Sequence, residues 1–149
     1  MPRLVQIDAG ELTNAGYRYN SSLNPTFLPG RYNHFSAPRR IFREGSLFQI
    51  PISVSPFARI PLFWLSLHHF SMPLYLFLAN QALKKDGYLN LYFHPWEFVS
   101  LQQFGLPRYM QHNAGDVLAG RLERLITYFE EKKIVFGTLN ECVDSFANR

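Results

Sequence analysis

The chain has a single cysteine, Cys142, among 149 residues, so no intramolecular disulfide can staple the fold. Packing must hold it instead, and one thiol points to no particular compartment. Charge is also scarce: Asp, Glu, Lys and Arg make up 17%, below the ~25% of an ordinary domain. Hydrophobic residues reach 47% and aromatic ones 16%, which excludes a disordered tail, since that needs high charge and few rings. The 15 basic and 11 acidic residues leave a net charge of +4. The basic ones are dispersed, with Arg39, Arg40 and Arg43 the densest group and Lys84–Lys85 and Lys132–Lys133 as pairs. A nucleic-acid-binding face gathers more of them, so they read as solvated surface and no nucleic-acid partner is expected.

Long hydrophobic runs are missing too. The N-terminal stretch Met1–Asp8 has no apolar segment long enough for a signal peptide. Residues 60–79 are very apolar, but Pro61 and Pro73 interrupt them and His68–His69 sit at their centre. A membrane-spanning helix needs ~20 uninterrupted apolar residues, and proline breaks the helical hydrogen-bond ladder. Two short buried segments meeting near Ser71–Met72 are expected, and a membrane partner is not. There is no phosphate-binding loop and no serine elbow. The histidines His34, His68, His69, His94 and His112 form no cluster at metal-ligand spacing.

The length suits one domain. Residues 8–17 read as a short helix ending at Gly16, and residues 18–46 as loop-rich, punctuated by Pro25, Pro29, Gly30, Pro38 and Gly45. Residues 47–54 are strand-like, with Pro51 marking an edge or an end. A helix over 73–85 closes on the turn Asp86–Gly87. Residues 88–94 (YLNLYFH) have the pattern of a strand buried on both faces. Leu118, Leu122, Leu125, Ile126 and Phe129 form one apolar stripe on a helix over 116–133. Residues 134–137 read as a short strand. Thr138 and Glu141 then form a capping box that opens a last helix running to about Phe146. Within that helix Cys142 reads as a packed thiol. This alternation over 47–149 predicts an α/β fold with parallel strands.

Two segments stand out chemically. In Tyr92-Phe93-His94-Pro95-Trp96-Glu97 an apolar segment delivers a histidine at its end. Ligands of α/β folds bind where strands end, and imidazole is suited to proton transfer near neutral pH. Pro95 restricts His94 to extended backbone. Trp96 suits a pocket wall or a sugar platform, and Glu97 either orients the imidazole or is solvated. The second segment, Gly16-Tyr17-Arg18-Tyr19-Asn20-Ser21-Ser22-Leu23-Asn24-Pro25, offers phenols, amides and hydroxyls to a polyhydroxylated ligand. Local turn chemistry explains the same residues. Asn20-Ser21-Ser22 is also a weak glycosylation triplet.

With Pro29-Gly30-Arg31-Tyr32-Asn33, Gln49-Ile50-Pro51 and Leu106-Pro107-Arg108-Tyr109 between and after them, these segments follow a known order. The chain resembles the NodB-like polysaccharide deacetylases, carbohydrate esterase family 4, in the subgroup with a His-Pro-Trp-Glu motif. The resemblance covers nearly the whole chain. It implies the C-terminal portion of a distorted (β/α) barrel that hydrolyses N-acetyl groups on a carbohydrate polymer. It implies a divalent metal, commonly zinc, held by an Asp and a His-x-x-x-His pair, with an Asp as base. It also implies His94 as the catalytic acid, with Trp96, Tyr19, Asn20 and Tyr92 as the substrate-binding residues.

The departures are specific. Neither the Asp-Asp nor the His-x-x-x-His motif occurs in this sequence. Met1-Pro2 matches the end of an Arg-x-Pro triplet whose Arg would precede Met1, and Arg3 comes one place too late. Asn20 stands where the family has Asp, and Tyr92 where it has Leu. The expectation is therefore an incomplete, inactive portion without a metal site or cofactor of its own, self-associating through exposed barrel edges. The alternatives are a non-catalytic carbohydrate-binding module and a peripheral membrane protein that uses residues 60–79.

Overall fold

The computed structural model describes residues 8–28 and 32–147. The motif positions Met1–Arg3 and Pro29–Arg31 lie outside them. The helices are α1 (Ala9–Asn14), α2 (Trp64–His69), α3 (Met72–Asp86), α4 (Arg108–Gln111), α5 (Asp116–Glu131) and α6 (Leu139–Ala147). The strands are short: β1 (Tyr19–Asn20), β2 (Phe27–Leu28), β3 (Tyr32–Asn33), β4 (Phe42–Glu44) and β5 (Leu47–Gln49). β1 pairs parallel to β5, β4 pairs antiparallel to β5, and β2 and β3 form a separate antiparallel pair.

The apolar segment 60–79 divides as its prolines dictate. α2 ends at His69 and α3 begins at Met72, with Pro73 in its first turn, where proline's missing N–H is harmless. α3 ends on Gly87 at φ 83°, a left-handed turn that glycine accepts without strain. The main core lies between α2, α3 and α5, where Leu62, Leu67, Tyr75, Ala79, Ala82, Leu118, Leu125 and Phe129 are buried. The most apolar part of segment 60–79 is thus largely occupied by packing. Among the described residues no helix is long and apolar enough to cross a membrane.

Two expected strands do not form. Residues 88–94 run extended beside residues 50–54 but join no ladder. The cause is the pattern of donors in the neighbouring segment. Ile50 and Ile52 donate their N–H groups away from it, to the carbonyls of Asn20 (2.8 Å) and Leu23 (2.9 Å). On the facing side Ser53 N–H reaches the Asn90 carbonyl at 2.9 Å, while Pro51 has no N–H to give. Side chains complete the join. The Ser53 hydroxyl accepts Asn90 N–H at 2.8 Å. The Asn90 amide donates to the Ser21 hydroxyl (2.7 Å) and to the carbonyls of Ile50 (3.1 Å) and Pro51 (3.2 Å). Among the described residues, 134–137 have no partner strand, and Val135 and Phe136 stay exposed.

Arg39, expected on the solvated surface, instead forms a largely buried pair with Asp86, tying residues 18–46 to the end of α3. The capping box forms as expected: Glu141 accepts from the Thr138 N–H (2.6 Å) and hydroxyl (3.0 Å), and Glu141 N–H donates to that hydroxyl at 3.2 Å.

Two outcomes follow from these contacts. Asn90→Ala takes a donor from the Ile50 and Pro51 carbonyls and from Ser21, and should lower stability by about 2 kcal/mol, read as an earlier urea midpoint at constant slope. An unchanged midpoint would show that the amide carries no stability. The Glu141 carboxyl is held below the usual carboxylate range by the Thr138 N–H and then by the Thr138 hydroxyl. Its contribution is complete above the unfolded value and is lost as pH falls through the lowered folded one. Cα chemical shifts at the start of α6 should drift toward coil as pH falls below the ordinary carboxylate range, and Glu141→Gln, which removes the titrating group, should abolish the drift. Acid-insensitive shifts in the unaltered chain would refute this.

Candidate functional site

The site is built on one short turn. Tyr92 and Phe93 approach it as extended chain, and Pro95–Phe98 form a single turn of 3-10 helix. His94 sits before the proline at φ −106°, ψ 142°, the extended backbone a pre-proline residue prefers. The turn closes when Glu97 N–H donates to the His94 carbonyl at 3.0 Å. This closure folds the Glu97 side chain back beneath the imidazole, where its Oε1 pairs with His94 Nδ1. Glu97 is fully buried, while the His94 side chain is 42% exposed. With the carboxylate accepting at Nδ1, the Nδ1–H tautomer is fixed and Nε2 is left to exchange a proton. This is the arrangement of an acid–base histidine with an orienting carboxylate.

Aromatic rings hold the imidazole plane. Trp96 stacks on it with centroids 5.3 Å apart. Tyr92 and Trp64 meet it edge-on at 5.5 Å and 6.0 Å. Tyr92 in turn stacks on Phe63 at 5.1 Å, and Trp64 is 3% exposed. Trp96 is half-buried.

His94, Tyr92 and Trp96 are therefore together. Tyr19 and Asn20 lie on β1, joined to this segment through the Ser21–Asn90 hydrogen bond. The Asn20 amide donates to Gln49 Oε1 at 3.1 Å, and its carbonyl accepts Ser22 N–H at 3.2 Å, so both ends of this side chain are engaged in local structure. Ser21 donates to the Ile50 carbonyl at 3.0 Å.

The sequence did not single out two members of the site, Trp64 and His68. They lie four residues apart on α2 and so share a helix face, with ring centroids 5.6 Å apart and edge-on. That spacing was the available signal, masked by the adjacent His69. His68 is fully buried, whereas His69 faces outward and stacks on His112 at 5.3 Å. Burial, and then the His112 ring, hold the His69 imidazole below its usual range. His68 Nδ1 lies 2.6 Å from the His112 carbonyl, and its Nε2 lies 3.8 Å from Glu97 Oε2. The end of α2 is tied down from elsewhere: Asn113 donates to the His68 carbonyl at 2.5 Å, and Arg121 donates to the carbonyls of Leu67 (2.6 Å) and Phe70.

Among the described residues no group of three His, Cys, Asp or Glu side chains converges to hold a metal ion. The donor set present does not fit the metal centre that the resemblance implies. Comparison with protein-family models, with curated proteins and with solved structures returns no match.

Proposed function

We propose that this chain is the acid-side portion of a polysaccharide deacetylase-like domain, in which His94 moves a proton at an N-acetylated sugar. The observation that carries this reading is a half-exposed imidazole held at Nδ1 by a fully buried carboxylate and stacked on a half-buried tryptophan. In this role Nε2 of His94 donates to the departing amine nitrogen, Glu97 orients the ring, and Trp96 walls the sugar. The motif order supports the assignment, as does the side-by-side placement of residues 18–23, 47–53 and 90–92 in chain order. Polarising the acetyl carbonyl and activating water fall to groups beyond this residue set.

Trp96 supplies the test. Trp64 is buried, so a change in emission on adding N-acetylglucosamine oligomers should come from Trp96. Trp96→Ala, followed by calorimetry because the reporter ring is gone, should weaken binding about two- to tenfold, since one lost ring contact is worth roughly 0.5–1.5 kcal/mol. No acetate should be released by the chain alone. Absence of any response at millimolar sugar would remove the carbohydrate reading. Metal-dependent acetate release by this chain would overturn the assignment of metal and base to other residues.

The same reading treats β1, at the edge of the described sheet, as a strand made to be covered. Unpaired edges recruit other strands, so the isolated chain should self-associate in light scattering. A monodisperse monomer at high concentration would count against it.

A further inference from the structure

Two fully buried polar atoms face each other without a hydrogen bond: Nε2 of His68 and Oε2 of Glu97, 3.8 Å apart. The other nitrogen of His68 settles what lies between them. Nδ1 contacts the His112 carbonyl, an atom that only accepts, so Nδ1 carries a proton. A neutral His68 then turns a lone pair toward Oε2, and an ionised Glu97 turns another back. Away from water, two facing acceptors repel, and each leaves its hydrogen bond unmade. A proton on Nε2 removes the conflict. His68 then donates from Nδ1 and turns a charged N–H toward Glu97 at ion-pair distance, and Glu97 faces one imidazole on each oxygen.

We infer that His68 is a positioning residue that holds a buried proton against Glu97 and so completes a His94–Glu97–His68 relay. The inference rests on the reading of His94 as the proton-moving group. A carboxylate countered from beneath accepts at Nδ1 and so keeps His94 in the Nδ1–H form. The surroundings suit a fixed proton rather than a mobile one. Trp64 packs edge-on against the His68 ring. From α5, Arg121 is bound to the carbonyls of Leu67 and Phe70. From the 112–113 turn, His112 offers its carbonyl while its ring stacks on His69.

Ring-15N NMR of the full chain tests this. At neutral pH both ring nitrogens of His68 should be protonated, and His94 should carry its proton on Nδ1. In His68→Leu, Glu97 loses its second donor and takes the proton itself. The neutral carboxyl then donates to His94 Nδ1, and the His94 proton shifts to Nε2. In His68→Gln the side-chain amide restores a donor to Oε2, and His94 should regain the Nδ1–H form. A His68 that merely fills space would lower thermal stability in both variants and leave the His94 tautomer unmoved, which overturns the inference. An unprotonated Nε2 in the unaltered chain overturns it as well, with no variant required to fold. Titration with N-acetylglucosamine oligomers separates the two readings. Sugar binding with an unmoved tautomer removes the relay alone, whereas a moved tautomer without sugar binding upholds the relay and removes the carbohydrate assignment.

Discussion

A carboxylate sealed from water must find every hydrogen bond inside the protein, and it tolerates few arrangements of its neighbours. Glu97 is such a group, and the architecture around it follows from that constraint. The 3-10 turn brings His94 over one oxygen. α2 brings His68 under the other. Trp64, in edge contact with both imidazoles, fills the space beside them. A solvated glutamate at this position would have imposed none of this, and the imidazole would turn freely.

A second constraint is the distribution of donors along residues 50–54. Proline at 51 removes the N–H that a strand at 88–94 would need, and Asn90 joins the segments in the opposite sense, with an amide directed at two carbonyls and a hydroxyl. The result is a seam that is specific without being a ladder. Three extended segments sit side by side, joined by side chains where backbone pairing stops. The loop around Asn20 and Ser21 belongs to this seam, which accounts for its density of amides and hydroxyls.

These two constraints also explain what was legible in the residues. Helix boundaries were readable because their signals are local: the stripe of α5, the proline at the start of α3, and the Thr138–Glu141 cap each act within a few residues. The break in segment 60–79 was readable for the same reason. The extended histidine before proline was legible, and Glu97 as its orienting partner or a solvated charge. Burial decided between those, and burial is set by residues far away in the chain. Strands failed at 88–94 and 134–137 because apolar alternation reports that a segment is extended, not that a neighbour has N–H groups to offer. Arg39 looked like surface charge because nothing near it in sequence announces Asp86. His68 was obscured by His69, since adjacency hides which of two rings a helix turns inward.

α5 adds a mechanical dimension. Its cap, Gly115, stands at φ 72° and donates its N–H to the Glu97 carbonyl at 2.8 Å. A Cβ there would press on Val99 and Ser100. Further along the same helix, Arg121 grips the carbonyls at the end of α2, next to His68. One rod, roughly 24 Å long at 1.5 Å per residue, is thus fastened to both elements that carry the buried pair. The spacing between His68 and Glu97 is set in part by a single helix that touches neither side chain, and a change in the length or tilt of α5 would alter it.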